Sequence, residues 1–148
     1  MKAPKSARAA LAILLFSTLM VGLPATLAPE AFYDGFPFIR HWVDLLPPYN
    51  EHLVRDVGGL YLAFVVIFAS ALWTLQPTLV RAACAAWLLW ALIHLLFHIS
   101  HLGPYDTLDA VAQTASLAFL LVPPVVAIWA VGDRRKSSPL EAEPPRVR

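Results

Sequence analysis

A chain of 148 residues holds one domain at most, and 59% of this one is hydrophobic while only 14% is charged. With a mean hydropathy of +0.64, it lacks the polar residues to cover a soluble surface, for which about 25% charge is typical. A net charge of +1 excludes a nucleic-acid binder, which needs a basic patch to neutralise phosphates, and a single cysteine, Cys84, excludes an intrachain disulfide.

Four apolar runs follow in chain order, at about 9–28, 57–75, 79–102 and 108–131. Each reaches the roughly 20 residues that a helix needs to cross the ~30 Å hydrocarbon core. Barrel strands would alternate polar and apolar residues, and these runs do not. The expected fold is therefore all-α, a four-transmembrane-helix bundle at 1–132 with an outer loop at 29–56. The charged, serine- and proline-rich residues 133–148 are expected to form a disordered cytoplasmic tail.

The first run follows Lys2, Lys5 and Arg8 and also fits a cleaved signal peptide, with small residues at Thr26 and Ala28. Its length and Pro29 after the candidate cut favour an uncleaved anchor; cleavage would leave three helices.

The loop after it carries Phe32, Tyr33, Phe36, Phe38, Trp42 and Tyr49. Amphipathic rings favour the membrane–water interface, so the loop is expected on the outer leaflet. Asn50 is the expected N-cap of a second helix starting at Glu51, and Gly58-Gly59 suggest close helix packing. The short connections Gln76-Pro77-Thr78 and Gly103-Pro104-Tyr105-Asp106 make the last three helices antiparallel in sequence. Small residues at 82–86 suggest close packing, Trp73 and Trp129 read as interface anchors, and Pro123-Pro124 predict a kink.

Lys and Arg set the expected orientation. With the N terminus inside, nine of them lie on the cytoplasmic side and two, Arg40 and Arg55, outside. Both termini are then cytoplasmic, and the protein is a multi-pass cell-membrane protein.

All five histidines fall in the outer half of this arrangement. His94, His98 and His101 are spaced i, i+4, i+7 on one helix face, and Asp109, Gln113 and Ser116 repeat that spacing on the next helix. His52 and Asp56 form an i, i+4 pair at the outer end of the second helix. Imidazoles and carboxylates at similar depth are the ligand set of a transition-metal site, and axial histidines can hold a haem. The expected metal set is His98, His101, His94, His52, Asp56 and Asp109, with Gln113 orienting an imidazole. Against this stands plain polar packing, in which a membrane histidine bonds a neighbouring helix and holds the bundle together.

The chain has no His-Glu-x-x-His motif and no phosphate loop, and no elbow motif marks Ser100 as a nucleophile beside His101. The stretch Tyr49 to Leu60 (YNEHLVRDVGGL), with His94-x3-His98-x2-His101-Leu102, resembles small four-helix membrane proteins common in actinobacteria. The resemblance spans about 32–131; it implies a fold and a membrane location, and brings no activity. Two expectations follow from different classes. One is a small structural or accessory membrane subunit, alone, as a homo-oligomer or beside a membrane protein partner. The other is a metal- or haem-binding protein with a redox or proton-relay role; a proton-coupled transporter is a third, needing an oligomer to form a path.

Overall fold

A computed structural model describes residues 5–38, 40–46 and 48–132. The expected tail at 133–148 lies outside them. Among the described residues the regular structure is all helical: α1 (Lys5–Leu27), α2 (Pro29–Gly35), α3 (Glu51–Thr74), α4 (Pro77–Ser100), α5 (Thr107–Phe119) and α6 (Val122–Gly132). Helices α1, α3 and α4, and the interrupted pair α5–α6, give four spans long and apolar enough to cross a bilayer.

The helix ends follow local chemistry. Asn50 caps α3, its side-chain oxygen accepting from the Leu53 N–H at 3.1 Å, and the C-cap Leu75 turns the chain in the left-handed region at φ 49°. Pro77 then opens α4 where a missing N–H costs nothing. Asp106 caps α5 through the Asp109 N–H at 2.8 Å. The expected kink is an interruption at 120–121, just ahead of Pro123-Pro124. These prolines have no N–H for the carbonyls four residues back, Phe119 and Leu120. The Leu120 oxygen instead accepts from Trp87 Nε1 at 3.2 Å. A side chain of α4 thus satisfies one of the two carbonyls that the prolines leave.

Helix α1 packs most extensively on α3, and α6 lies against both α1 and α4. Lipid gives no hydrophobic drive between helices, so close approach of backbones matters more than side-chain bulk. Ala7, Ala10, Ala71, Ala83, Ala91, Ala127 and Ala130 supply it, with Cys84, Leu11, Leu14, Phe68 and Trp87 filling the remaining space. At the α1–α3 crossing, a Cβ on Gly58 would stand 2.7 Å from the Thr26 backbone nitrogen. Gly58 is therefore a packing residue, while Gly59 faces open space. Of the small run at 82–86, Ala83 and Cys84 are buried and the other three alanines are exposed. Trp73 and Trp129 point outward, 86% and 69% exposed in the isolated chain.

Helix α5 is the exception to this packing. It lies against α4 and touches α6 at the interruption, but makes no close approach to α1 or α3. Residues 36–38 and 40–43, between α2 and α3, lie across the opening this leaves.

Candidate binding cavity

Between α5 and the α1–α3 pair lies a cavity of about 650 Å³. Small-molecule sites commonly fall in the range of about 300–1,000 Å³. Its lining is mainly apolar and aromatic. Tyr61 of α3 and Trp87 and Trp90 of α4 form one wall, with ring centroids 4.8 Å apart for the two tryptophans and 5.1 Å for Tyr61 and Trp90. Val21 of α1 and Val57 of α3 continue it, and Ala112, Ser116 and Leu117 of α5 face it.

The polar part of the lining is concentrated where α4 meets α5. His98 is 9% exposed and Gln113 2%. His98 Nδ1 lies 3.0 Å from Gln113 Oε1. An amide oxygen only accepts, so Nδ1 donates in this bond. The other end of the same amide, Nε2, is buried, and the Gln113 and Tyr105 side chains interact. His94, one turn below, stacks on Trp90 at 4.8 Å and meets His98 edge-on at 4.5 Å. Both imidazoles line the cavity.

A strap of residues 36–38 and 40–46, entered through α2 and the cis Phe36–Pro37 bond, roofs the space. Phe36, Pro37, Arg40, Trp42 and Val43 all face inward. Three links fix it. The Tyr105 hydroxyl donates to the Trp42 carbonyl at 2.6 Å. Arg40 pairs with Asp109 of α5 at 2.6 Å, and His41 pairs with Asp44 at 3.1 Å. Phe38 and His41 hold φ of 48° and 61°, values that non-glycine residues seldom adopt and that these contacts must over-determine. The indole Nε1 of Trp42 is buried and makes no hydrogen bond among the described residues. Burial raises the Tyr105 phenol above its usual range, and a side-chain hydrogen bond with Gln113 acts in the opposite direction.

The residues expected to share a metal are thus distributed over separate places. His94 and His98 sit together on the cavity wall. His101 leaves that face: it stacks on Phe97 at 4.1 Å, and its Nδ1 donates to the Phe97 carbonyl at 2.8 Å. The Ser100 hydroxyl donates to the same carbonyl at 2.8 Å. His52 and Asp56 pair at 3.3 Å on the outer surface of α3, with side chains 87% and 59% exposed. Asp109 is taken by Arg40. Among the described residues no three His, Cys, Asp or Glu side chains are grouped to hold one ion. Gln113 does orient an imidazole, that of His98.

The residues that the sequence pattern missed are those of the roof and aromatic wall, Trp42, Tyr105, Tyr61 and Trp90. Helical spacing identified the His and Gln faces; nothing in residues 29–49 announced that they fold over them. Comparison with family models, curated proteins and solved structures gives no match.

Proposed function

We propose that the protein is a multi-pass cell-membrane protein, with both termini cytoplasmic, that binds a mostly apolar small molecule in the cavity between α4, α5 and the strap. The excess of Lys and Arg at the end away from the strap supports the orientation, which puts the cavity in the outer half of the bilayer. The observation that carries the binding reading is the cavity itself, about 650 Å³ walled by the rings of Tyr61, Trp87 and Trp90, with the bonded pair His98 and Gln113 as part of its polar lining. Polar packing alone would explain the His98–Gln113 bond, because it joins the loosely packed α5 to α4. It does not explain an aromatic-walled space of this size between α5 and the α1–α3 pair, which close packing would have filled.

Native mass spectrometry of protein extracted in mild detergent tests this. The expected result is one retained molecule per chain, lost in Ala112→Phe, which fills the cavity from α5. Retention of only bulk lipid, unchanged by Ala112→Phe, would return the chain to a structural or accessory role. In that role it would act as a homo-oligomer or with a membrane protein partner.

A second reading is favoured by the adjacent His94 and His98 rings on the cavity wall. These two side chains, rather than the six first expected, would ligate a transition metal or a haem. Elemental analysis and a UV–visible spectrum of untagged protein decide it: bound metal or a Soret band, lost in His98→Ala, is the outcome this reading requires.

A further inference from the structure

Resting on the binding reading above, we infer that the occupant is an acyl chain of a bilayer lipid. It enters sideways, through a window between α1 and α5, while its head group stays at the membrane surface. Among the described residues, no α-carbon of α5 comes within 8 Å of one in α1 or α3. Ser17 and Val21 of α1 and Ala112, Ser116 and Leu117 of α5 nevertheless line one cavity. Ser116 is exposed and the other four are half-buried. The two helices are therefore facing edges of an opening. Above, the strap crosses to α5, where Arg40 pairs with Asp109 at 2.6 Å. Below, past the interruption, α6 packs on α1. A partner's transmembrane helix, about 10–12 Å wide with its side chains, needs a groove that runs the depth of the bilayer. This opening is closed at both ends, which a flexible chain tolerates and a helix does not.

Depth and chemistry select the chain. At ~1.5 Å per residue, Ser116 lies roughly 14 Å along α5 from Thr107, and Ser17 roughly 15 Å along α1 from Leu27. Half of the hydrocarbon core is about 15 Å thick, so the window faces acyl chains rather than head groups. Its rim offers little to a polar molecule. The Ser17 hydroxyl donates to the Ile13 carbonyl at 2.8 Å, and the Ser116 hydroxyl to the Ala112 carbonyl. Arg40, the cation of the lining, sits in the roof and is already paired. A head group drawn through the window would lose its hydration and gain no free counter-charge. Lipid tails are as apolar as the walls, so hydrophobic transfer is not the drive. An empty cavity instead forgoes dispersion contacts with Tyr61, Trp87 and Trp90, and a chain restores them.

Photocrosslinking of the full chain in vesicles tests this. The vesicles are phosphatidylethanolamine and phosphatidylglycerol, doped with a phosphatidylcholine that carries a diazirine midway along one acyl chain. After illumination, peptide mass spectrometry locates the cross-links. They are expected on Tyr61, Trp90 and His94 of the cavity lining, and also on the outward-facing Leu60, Leu89 and Ile93. Ser116→Trp, at the rim, should abolish the first set and keep the second, which also reports that the variant is folded and inserted. Ser17→Trp closes the window from α1 and gives the same result if Ser116→Trp fails to insert. Outward cross-links alone in the wild type would overturn the chain assignment. So would cavity cross-links that persist in both rim variants, because the chain would then enter elsewhere. Labelling of the cavity by free phenyldiazirine, but not by the lipid-borne group, would replace the chain with a membrane-dissolved molecule. Native mass spectrometry of the same samples separates these failures from that of the binding reading. A retained molecule lost in Ala112→Phe, without cavity cross-links, overturns the chain alone; no retained molecule and no cavity cross-link remove both.

Discussion

The two ends of this bundle solve different problems with the same four spans. At the end away from the strap, α1, α3, α4 and α6 close on a core rich in alanine, with Leu11, Leu14, Phe68 and Trp87 fully or almost fully buried. At the strap end α5 stands off from α1 and α3, and the space is lined by aromatic rings, two histidines and a buried glutamine. The interruption at 120–121 divides them. Above it the fourth span departs from the bundle; below it α6 returns to pack on α1 and α4. Packing of the fourth span against α1 is thus confined to the α6 half, which leaves the α5 half free to keep a cavity open, as binding regions often require.

The sharpest way to break this comparison is to change the volume at each end. Phe68 has no exposed surface and packs on Phe64 and Trp87 at ring distances of 5.6 Å. Phe68→Ala should destabilise the protein by about 2–4 kcal/mol, the lower part of the soluble range because lipid replaces water in the reference state. Ala112→Phe adds rather than removes bulk, yet should cost less than about 1 kcal/mol because it enters existing space, where a packed core would charge about 1–3 kcal/mol. Reversible unfolding in mixed micelles measures both. Equal costs would mean that the cavity half is as tightly specified as the core.

The second prediction concerns the joint between the halves. Trp87→Phe keeps most of the ring packing but removes the hydrogen bond to Leu120. The stranded carbonyl should cost about 1–2 kcal/mol. Pro124→Ala returns an N–H four residues after Leu120 and should absorb much of that loss. A double-mutant cycle then gives a coupling near 1 kcal/mol. Additive effects would show that Trp87 matters only through its bulk.

This joint also shows what the sequence could and could not reveal. Pro123-Pro124 announced a disturbed helix because a missing N–H is a local fact. That Trp87, more than thirty residues earlier, answers the carbonyl is tertiary and leaves no local trace. The same division runs through the site. The spacing of His94 and His98 put them on one face, and Gln113 was already placed to orient an imidazole; both are consequences of 3.6 residues per turn. Spacing also put His101 on that face, but it lies past the end of α4 at Ser100, where helical geometry no longer governs. Asp109 was matched by depth to the histidines, but depth says nothing of a competitor. The competitor is Arg40, brought across by a strap whose left-handed turns at Phe38 and His41 have no glycine to mark them.

The Arg40–Asp109 pair gives the smallest expected effect on stability and the most specific one on the cavity. The Asp109 side chain is 15% exposed and that of Arg40 45%, so the pair is partly solvated and contributes at most about 1 kcal/mol. Arg40→Gln should therefore leave the unfolding midpoint almost unchanged. It does, however, cut the ionic link between the roof and α5, so a bound molecule should exchange faster. High salt should speed exchange in the wild type and have little further effect in the variant, because the pair is open to screening. The charge-reversed pair Arg40→Asp with Asp109→Arg should restore slow exchange, which neither single reversal does. If Arg40→Gln instead cost several kcal/mol, the strap would belong to the scaffold. The division between a packed half and an open half would then have to be redrawn to place the roof with the core.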